Sequence, residues 1–355
     1  MTLAAFITRS RREQEDWKYT DLEALLASTN KTFNLDTGFR RYDEDGDNRA
    51  YLLFLNGVWQ SARSRFGSVP SCILMGDLES GYQLTLGEQT CLVAQPIEMV
   101  FETDSNAPAE IALKLSIDIG KNGRLTLLEN HLPSNTITTI ETDITLQSRA
   151  KFVHGKILAS GTHLALHEVR VASGGYYNNF SLLRGGHPAR NEINVTLEGE
   201  EAQAALNGIM LLRGSDHADT TTRITHQAPN CASRQVYKTV LDGKARGVFQ
   251  GKITVAPHAQ KSDGYQMSRA LLLSDQAEMD ARPELEIYAD DVKCSHGSAI
   301  GALDEDAMFY LRARGLNETQ ARALLIESFV AETLDNVQVE AWRDIFRREI
   351  GEWAQ

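Results

Sequence analysis

The sequence predicts a mainly β core set between helical ends, and three observations carry that prediction. From about residue 90 to residue 300, apolar residues alternate with small or polar ones: Ile111, Leu113, Leu115, Ile117 and Ile119 are interleaved with Ala112, Lys114, Ser116 and Asp118. The same two-residue period, which puts one face of a strand in a core, returns at Ile193, Val195 and Leu197 and at Ile253 and Val255. Turn formers separate these runs at Lys121-Asn122-Gly123, Gly174-Gly175, Gly185-Gly186 and Asp242-Gly243, and no amphipathic helix interrupts them.

Many short strands without crossover helices leave a sandwich, a barrel or a β-helix. The length of the run is large for a simple sandwich and favours the β-helix, although no exact sequence period marks a repeat.

The flanks read differently. Residues 11 to 29, RREQEDWKYTDLEALLAST, are rich in charged helix formers, with Leu22, Leu25 and Leu26 near helical spacing, and predict one or two helical pieces ending at Ser28 to Asn30. YLLFLNGVW, residues 51 to 59, predicts two short strands around Asn56-Gly57, a common hairpin turn. After Gly301 the chain turns helical again. Asp304-Glu305-Asp306 suit the positive end of a helix and Gly315 its C-terminal stop. Asn317 and Gln320 have the spacing of a capping box ahead of Leu324, Leu325, Ile326 and Phe329. A last helix, VEAWRDIFRREIGEW, places Trp342, Ile345, Phe346 and Ile350 on one face and Arg343, Arg347 and Arg348 toward solvent. That apolar stripe either packs its own domain or docks a partner. Three regions are therefore expected: 1–90 helical with short strands, 91–302 the β core, and 303–355 helical.

Lys and Arg total 36 against 48 Asp and Glu, a net charge of -12, so nucleic acid and anionic membranes are repelled on average. The N-terminus has no apolar core of signal-peptide length, and no stretch approaches the roughly 18 uncharged apolar residues of a membrane span. A cytoplasmic protein is expected. Cys72, Cys91, Cys231 and Cys294 are widely spread with no Cys-x-x-Cys pair, which argues against a disulfide framework and a self-contained zinc or ferredoxin site. The phosphate-cradling G-x-x-x-x-G-K-[ST], the dinucleotide G-x-G-x-x-G, the hydrolase G-x-S-x-G and the His-Glu-x-x-His array are all absent, so this chain is expected to bind no nucleotide by a standard site.

The stretch YADDVKCSHG, residues 288 to 297, carries the most distinctive chemistry. Cys294 and His296 lie two apart, so in a strand both point to one face, with Lys293 and Ser295 opposite. Thiolate and imidazole suit zinc or iron, but two ligands are too few for a closed zinc site or a cluster, and a partner would supply the rest. The competing view makes Cys294 a small buried hydrophobe and His296 a hydrogen-bonded histidine. Asp290 and Asp291 face opposite ways and suit a bend better than an acid–base couple. Residues 225 to 253 gather His226, Cys231, Arg234, Tyr237 and Lys238; a nucleophilic Cys with a His base is conceivable there, but Cys231 follows the turn formers Pro229-Asn230 and a structural role is expected.

Four stretches together give a family resemblance: EDWKYTDL at 15–22, ASRQVYKTVLDGKARGVFQGKI at 232–253, PELEIYADDVKCSHGSAIG at 283–301 and AMFYLRARGL at 307–316. The chain resembles the scaffold subunits of the SUF iron–sulfur cluster assembly system, and their SufD branch more than SufB, which usually has Glu-His-Glu where Lys293-Cys294-Ser295-His296 stand. The resemblance implies a right-handed parallel β-helix flanked by N-terminal and C-terminal helical domains. It implies a non-catalytic scaffold that pairs with SufB through the β-helix end and binds the SufC ATPase by its C-terminal helices; whether the chain also forms homodimers when SufB is scarce is left open by the sequence. It also implies a transient iron–sulfur cluster shared with SufB at an interfacial site matching Cys294 and His296, with His296 the better ligand. The Trp342, Ile345, Phe346 and Ile350 stripe is then a candidate docking face. Two departures from the family are Ser298-Ala299, where relatives read Ala-Thr, and a region from 60 to 95 that is shorter than usual and lacks a helical stretch. A SufB-like scaffold and a β-helix polysaccharide-cleaving enzyme are the alternatives.

Overall fold

A computed structural model describes residues 1–28, 50–65, 73–78 and 81–355. Two helices, α1 (Leu3–Arg12) and α2 (Leu22–Ser28), open the chain. Four short strands and one long one follow: β1 (Ala50–Leu55), β2 (Val58–Trp59), β3 (Ile73–Leu78), β4 (Gly81–Leu86) and the longer β5 (Cys91–Glu102). β1 and β2 pair antiparallel across Asn56 and Gly57, both at positive φ, as the Asn-Gly signal predicts. From β6 (Glu110–Ile119) to β19 (Lys293–Ala302) the strands then alternate between two sheets, odd-numbered ones in one and even-numbered ones in the other.

Each strand pairs in parallel with the strand two places on, so the chain winds as a parallel β-solenoid of about seven turns. The register explains the alternation read from the sequence. Ile117, Ile144, Val169, Val195, Ile224 and Ile253 are successive partners up one sheet, and all are buried, forming one apolar column inside the solenoid. Burying each such side chain contributes about 1.5–3 kcal/mol.

The turns stack as well. Asn122, Arg149, Glu201, Asn230 and Lys261 all adopt positive φ near +60°, and the backbone N–H of each donates to a carbonyl in the next turn, as from Asn122 to Ser148 and from Asn230 to Gln260. A small buried residue follows in each case: Gly123, Ala150, Ala202, Cys231 and Ser262. These equivalent sites are unevenly spaced because the turns differ in length. That is why a repeated structure shows no exact sequence period.

Helices cover both outer faces. α1, the following turns and α2 lie on the even-numbered sheet, where Phe6, Trp17 and Leu22 pack on Leu164 and Leu166. At the other end α3 (Glu305–Ala313), α4 (Glu318–Leu334) and α5 (Glu340–Ala354) complete the chain. α4 and α5 pack on the odd-numbered sheet through Leu128, Ile157, Phe180, Leu182 and Val240. Gly155 permits this approach, since a Cβ there would lie 2.9 Å from the Trp342 ring. The capping box forms as expected, with Asn317 and Gln320 bonded to each other's backbone N–H.

The helix expected over 11–29 requires correction. α1 starts earlier and ends at Arg12, and the EDWKYTDL stretch is mostly turn until Asp21 caps α2 through the Ala24 N–H at 3.0 Å. Tertiary partners override local propensity here. Arg190 lies over the Trp17 ring at 4.0 Å, and the Thr20 hydroxyl donates to Asp219 at 2.7 Å. The end of the predicted segment, at Thr29 and Asn30, lies outside the described residues, as does Cys72.

Candidate functional site

The solenoid's last turn is open. β18 (Glu278–Ile287) and β19 each pair with a strand on one side only, so both leave backbone groups unpaired along an edge. Cys294 and His296 fall on the face of β19 that continues the solenoid interior, in register with Gly264 and Gln266 one turn below. This is the same-face placement that their spacing predicts.

The two side chains differ in setting. Cys294 is half-buried beside Ile253, Val255, Ala259 and Ala289, and burial pushes its thiol up. Its sulfur lies 3.3 Å from where a Cβ on Gly264 would stand, so glycine there leaves room for the thiol. His296 is exposed on the open end, and Ile287, Tyr288 and Ile300 of the same last turn are exposed as well. Asp291 extends the turn ladder, its carbonyl accepting from the Lys261 N–H and its own N–H donating to Gln260 at 2.9 Å, so the paired acids do form a bend. Among the described residues no group of three or more His, Cys, Asp or Glu side chains is arranged to hold a metal ion.

The apolar stripe on α5 is spent inside the chain. Trp342, Ile345, Phe346 and Ile350 are at most 6% exposed, and Phe346 stacks on Phe180 at 5.0 Å. A face needed to seat the helix on the solenoid is not free for a partner, which corrects the docking expectation for these four residues. The large apolar residues exposed on the C-terminal helices are instead Phe309 and Tyr310 on α3, 76% and 57% exposed, with Leu324 on α4 at 45%.

Residues 225 to 253 prove structural in detail. Cys231 fills the small-residue slot of the turn ladder, donates to the Gly199 carbonyl at 3.3 Å, and has its thiol pushed up by burial, so it is no activated nucleophile. His226 contacts Ser233 at 2.8 Å, and burial pushes its imidazole down to about 4. Tyr237 and Lys238 are buried rather than solvated, Lys238 reaching the Phe329 carbonyl at 2.6 Å and Glu332 at 2.9 Å beneath α4.

Sequence reasoning missed a polar cluster inside the solenoid. Glu129 on β7 (Arg124–His131) accepts from His131 at 3.0 Å and from His154 on β9 (Lys151–Leu158) at 3.0 Å. Lys156 lies 3.2 Å from Asn191 and 3.4 Å from His167 on β10 (His163–Val171), and all of these side chains are buried. Burial alone would raise Glu129, but His154, His131 and Lys156 outweigh it and hold the carboxyl well below its usual range. Burial pushes Lys156 down to about 8 and His131 down to about 4, and depresses His163 and His167 strongly. The available signal was parity: Glu129 and His131, like His154 and Lys156, share the strand face of buried Leu127 and Phe152.

A parallel β-solenoid with helices folded onto both faces and an open, thiol-bearing last turn defines the architectural class. The SufBD core domain of the SUF system for iron–sulfur cluster assembly matches residues 101–329, and the chain belongs to that family. It is 32% identical to the iron–sulfur cluster assembly protein SufD of Escherichia coli, over 96% of this chain and 88% of that protein. It is 26% identical to an iron–sulfur cluster assembly SufBD family protein of Synechocystis, over 95% and 86% of the two chains. A SufBD family protein of Mycobacterium tuberculosis is 30% identical over about half of each chain, 51% and 48%.

Proposed function

We propose that this chain is a non-catalytic, SufD-type scaffold that works in the cytoplasm, pairs with SufB through the open end of its solenoid, and helps to hold a nascent iron–sulfur cluster there. The observation that carries the reading is the placement of Cys294 and His296 on the interior face of an uncovered last turn. A partner edge meeting β18 and β19 would satisfy their free backbone groups, cover Ile287, Tyr288 and Ile300, and bring its own ligands to the two donors. The cluster is cargo, shared with SufB. His296 is the ligand and Cys294 the support, since a half-buried, raised thiol is poorly prepared to ionise.

ATP hydrolysis belongs in this reading to SufC, docked on the C-terminal helical region, 303–355, through Phe309 and Tyr310. Its nucleotide cycle can shift the scaffold only as far as it grips two states of the pair differently. The division into 1–90, 91–302 and 303–355 then separates a clamp, a scaffold and an ATPase platform.

The test is anaerobic co-expression with SufB and SufC, followed by iron and sulfide analysis of the purified complex. His296→Ala is expected to leave the complex assembled and empty it of cluster. An unchanged cluster content in that variant makes His296 structural and places the ligands elsewhere.

A further inference from the structure

At the corner joining the first turns of the solenoid, a cavity of about 30 Å³ is lined by Phe101, Ser134, Ser160, Thr162, His131 and His163. It has room for one or two waters. The two imidazoles meet there at 4.7 Å between ring centroids, inclined at 62°. The Nε2 of His131 is bonded to the Glu129 carboxylate at 3.0 Å. An ionised carboxylate only accepts, so the ring proton sits on Nε2 and Nδ1 keeps its lone pair. The Nε2 of His163 is buried without a hydrogen-bond partner among the described residues, an arrangement that costs free energy unless something satisfies it.

We infer that His131 and His163 bind a divalent first-row transition ion in this cavity, with Glu129 as the carboxylate that orients His131. Two imidazoles sharing one tetrahedral ion, with metal–nitrogen distances of about 2 Å, place their ring centroids roughly 5 Å apart, close to the separation observed. A carboxylate behind a ligating histidine fixes its tautomer and strengthens it as a donor. Neutral nitrogen donors with nearby hydroxyls select iron, cobalt, nickel or zinc over magnesium and calcium. Only two protein ligands are available here, and water completes the shell. No residue of this site is shared with the open end, so it stands or falls independently of the scaffold reading.

The experiment titrates the full chain with cobalt(II) alone and follows the visible absorbance of coordinated cobalt. One equivalent is expected in the wild type and in the Cys294→Ala, His296→Ala double variant, and none in His163→Gln, with circular dichroism confirming that each variant is folded. His131→Gln, expected to lose binding too, serves if His163→Gln does not fold. The absence of a cobalt spectrum in the wild type overturns the assignment whatever the variants do. So does a spectrum retained in both histidine variants but lost in the double variant, which would move the ion to the open end.

Discussion

Among the described residues Arg190 is the bulkiest fully buried side chain, and its partners show how single residues tie the N-terminal segment to the solenoid. It pairs with Asp219 and, at 3.3 Å, with Glu192, while Trp17 stacks on its guanidinium. Arg9 and Arg223 pair with the same Glu192. Burial alone would raise Glu192, but Arg190, Arg9 and Arg223 pull its carboxyl down to about 2. A depressed carboxyl stabilises the fold above its ordinary value of 4.5, and that stability is lost as pH falls toward about 2. His226 is held neutral rather than charged, with the same consequence. Burial pushes it from 6.5 to about 4, so the unfolded chain takes up a proton that the fold refuses, and stability falls as pH drops through that interval. Urea midpoints measured from neutral pH downward should therefore decline in two stages, with Glu192→Gln removing much of the lower stage and His226→Gln shrinking the upper one. A midpoint constant from pH 6.5 to 4 would contradict the burial of His226 as a neutral ring.

Among the elements, α5 spends its apolar stripe inside the chain, whereas α3 leaves Phe309 and Tyr310 exposed. Phe346 seals the contact between α5 and the odd-numbered sheet, and its truncation to Ala should cost about 3–5 kcal/mol in urea unfolding, as for other buried aromatics. Phe309 and Tyr310 are 76% and 57% exposed, and Tyr310 meets Arg314 of the same helix end, which lies over its ring and donates to its hydroxyl at 3.1 Å. Replacing both with Ser should change stability by no more than about 0.5 kcal/mol, yet weaken SufC binding in a pull-down from purified components. If the Phe309 and Tyr310 pair proves dispensable for SufC while α5 stays seated, the ATPase docks on another part of the C-terminal region. The charged contacts at this junction, Lys238 with Glu332 and Arg184 with Glu349, bridge solenoid and helices and fix which face of each helix remains outside.

At the scale of the whole molecule, a solenoid is nearly one-dimensional, so each turn is covered by its neighbours and only the ends present free edges. Pro283 on β18 removes one backbone donor from its strand, whereas β19 contains no proline. An end of this kind invites a second chain. In the absence of SufB the purified protein should self-associate through it, and Ile300→Lys, which puts a charge among the exposed apolar residues, should shift sedimentation toward monomer. Sedimentation identical for the two proteins would place any self-association elsewhere.

What the sequence by itself determined was local: strands from two-residue alternation, the Asn56-Gly57 hairpin, the Asn317–Gln320 capping box, and Cys294 and His296 on one strand face. Each depends on neighbours a few residues away, so each was legible. Tertiary structure alone decided that Glu129 meets His154, that His131 meets His163, that Cys231 fills a turn slot, and that Trp342, Ile345, Phe346 and Ile350 are buried. Those meetings depend on how successive turns stack. The turns differ in length, and their register is set by hydrogen bonds between them, so residues that share the interior stand at no fixed distance in the sequence.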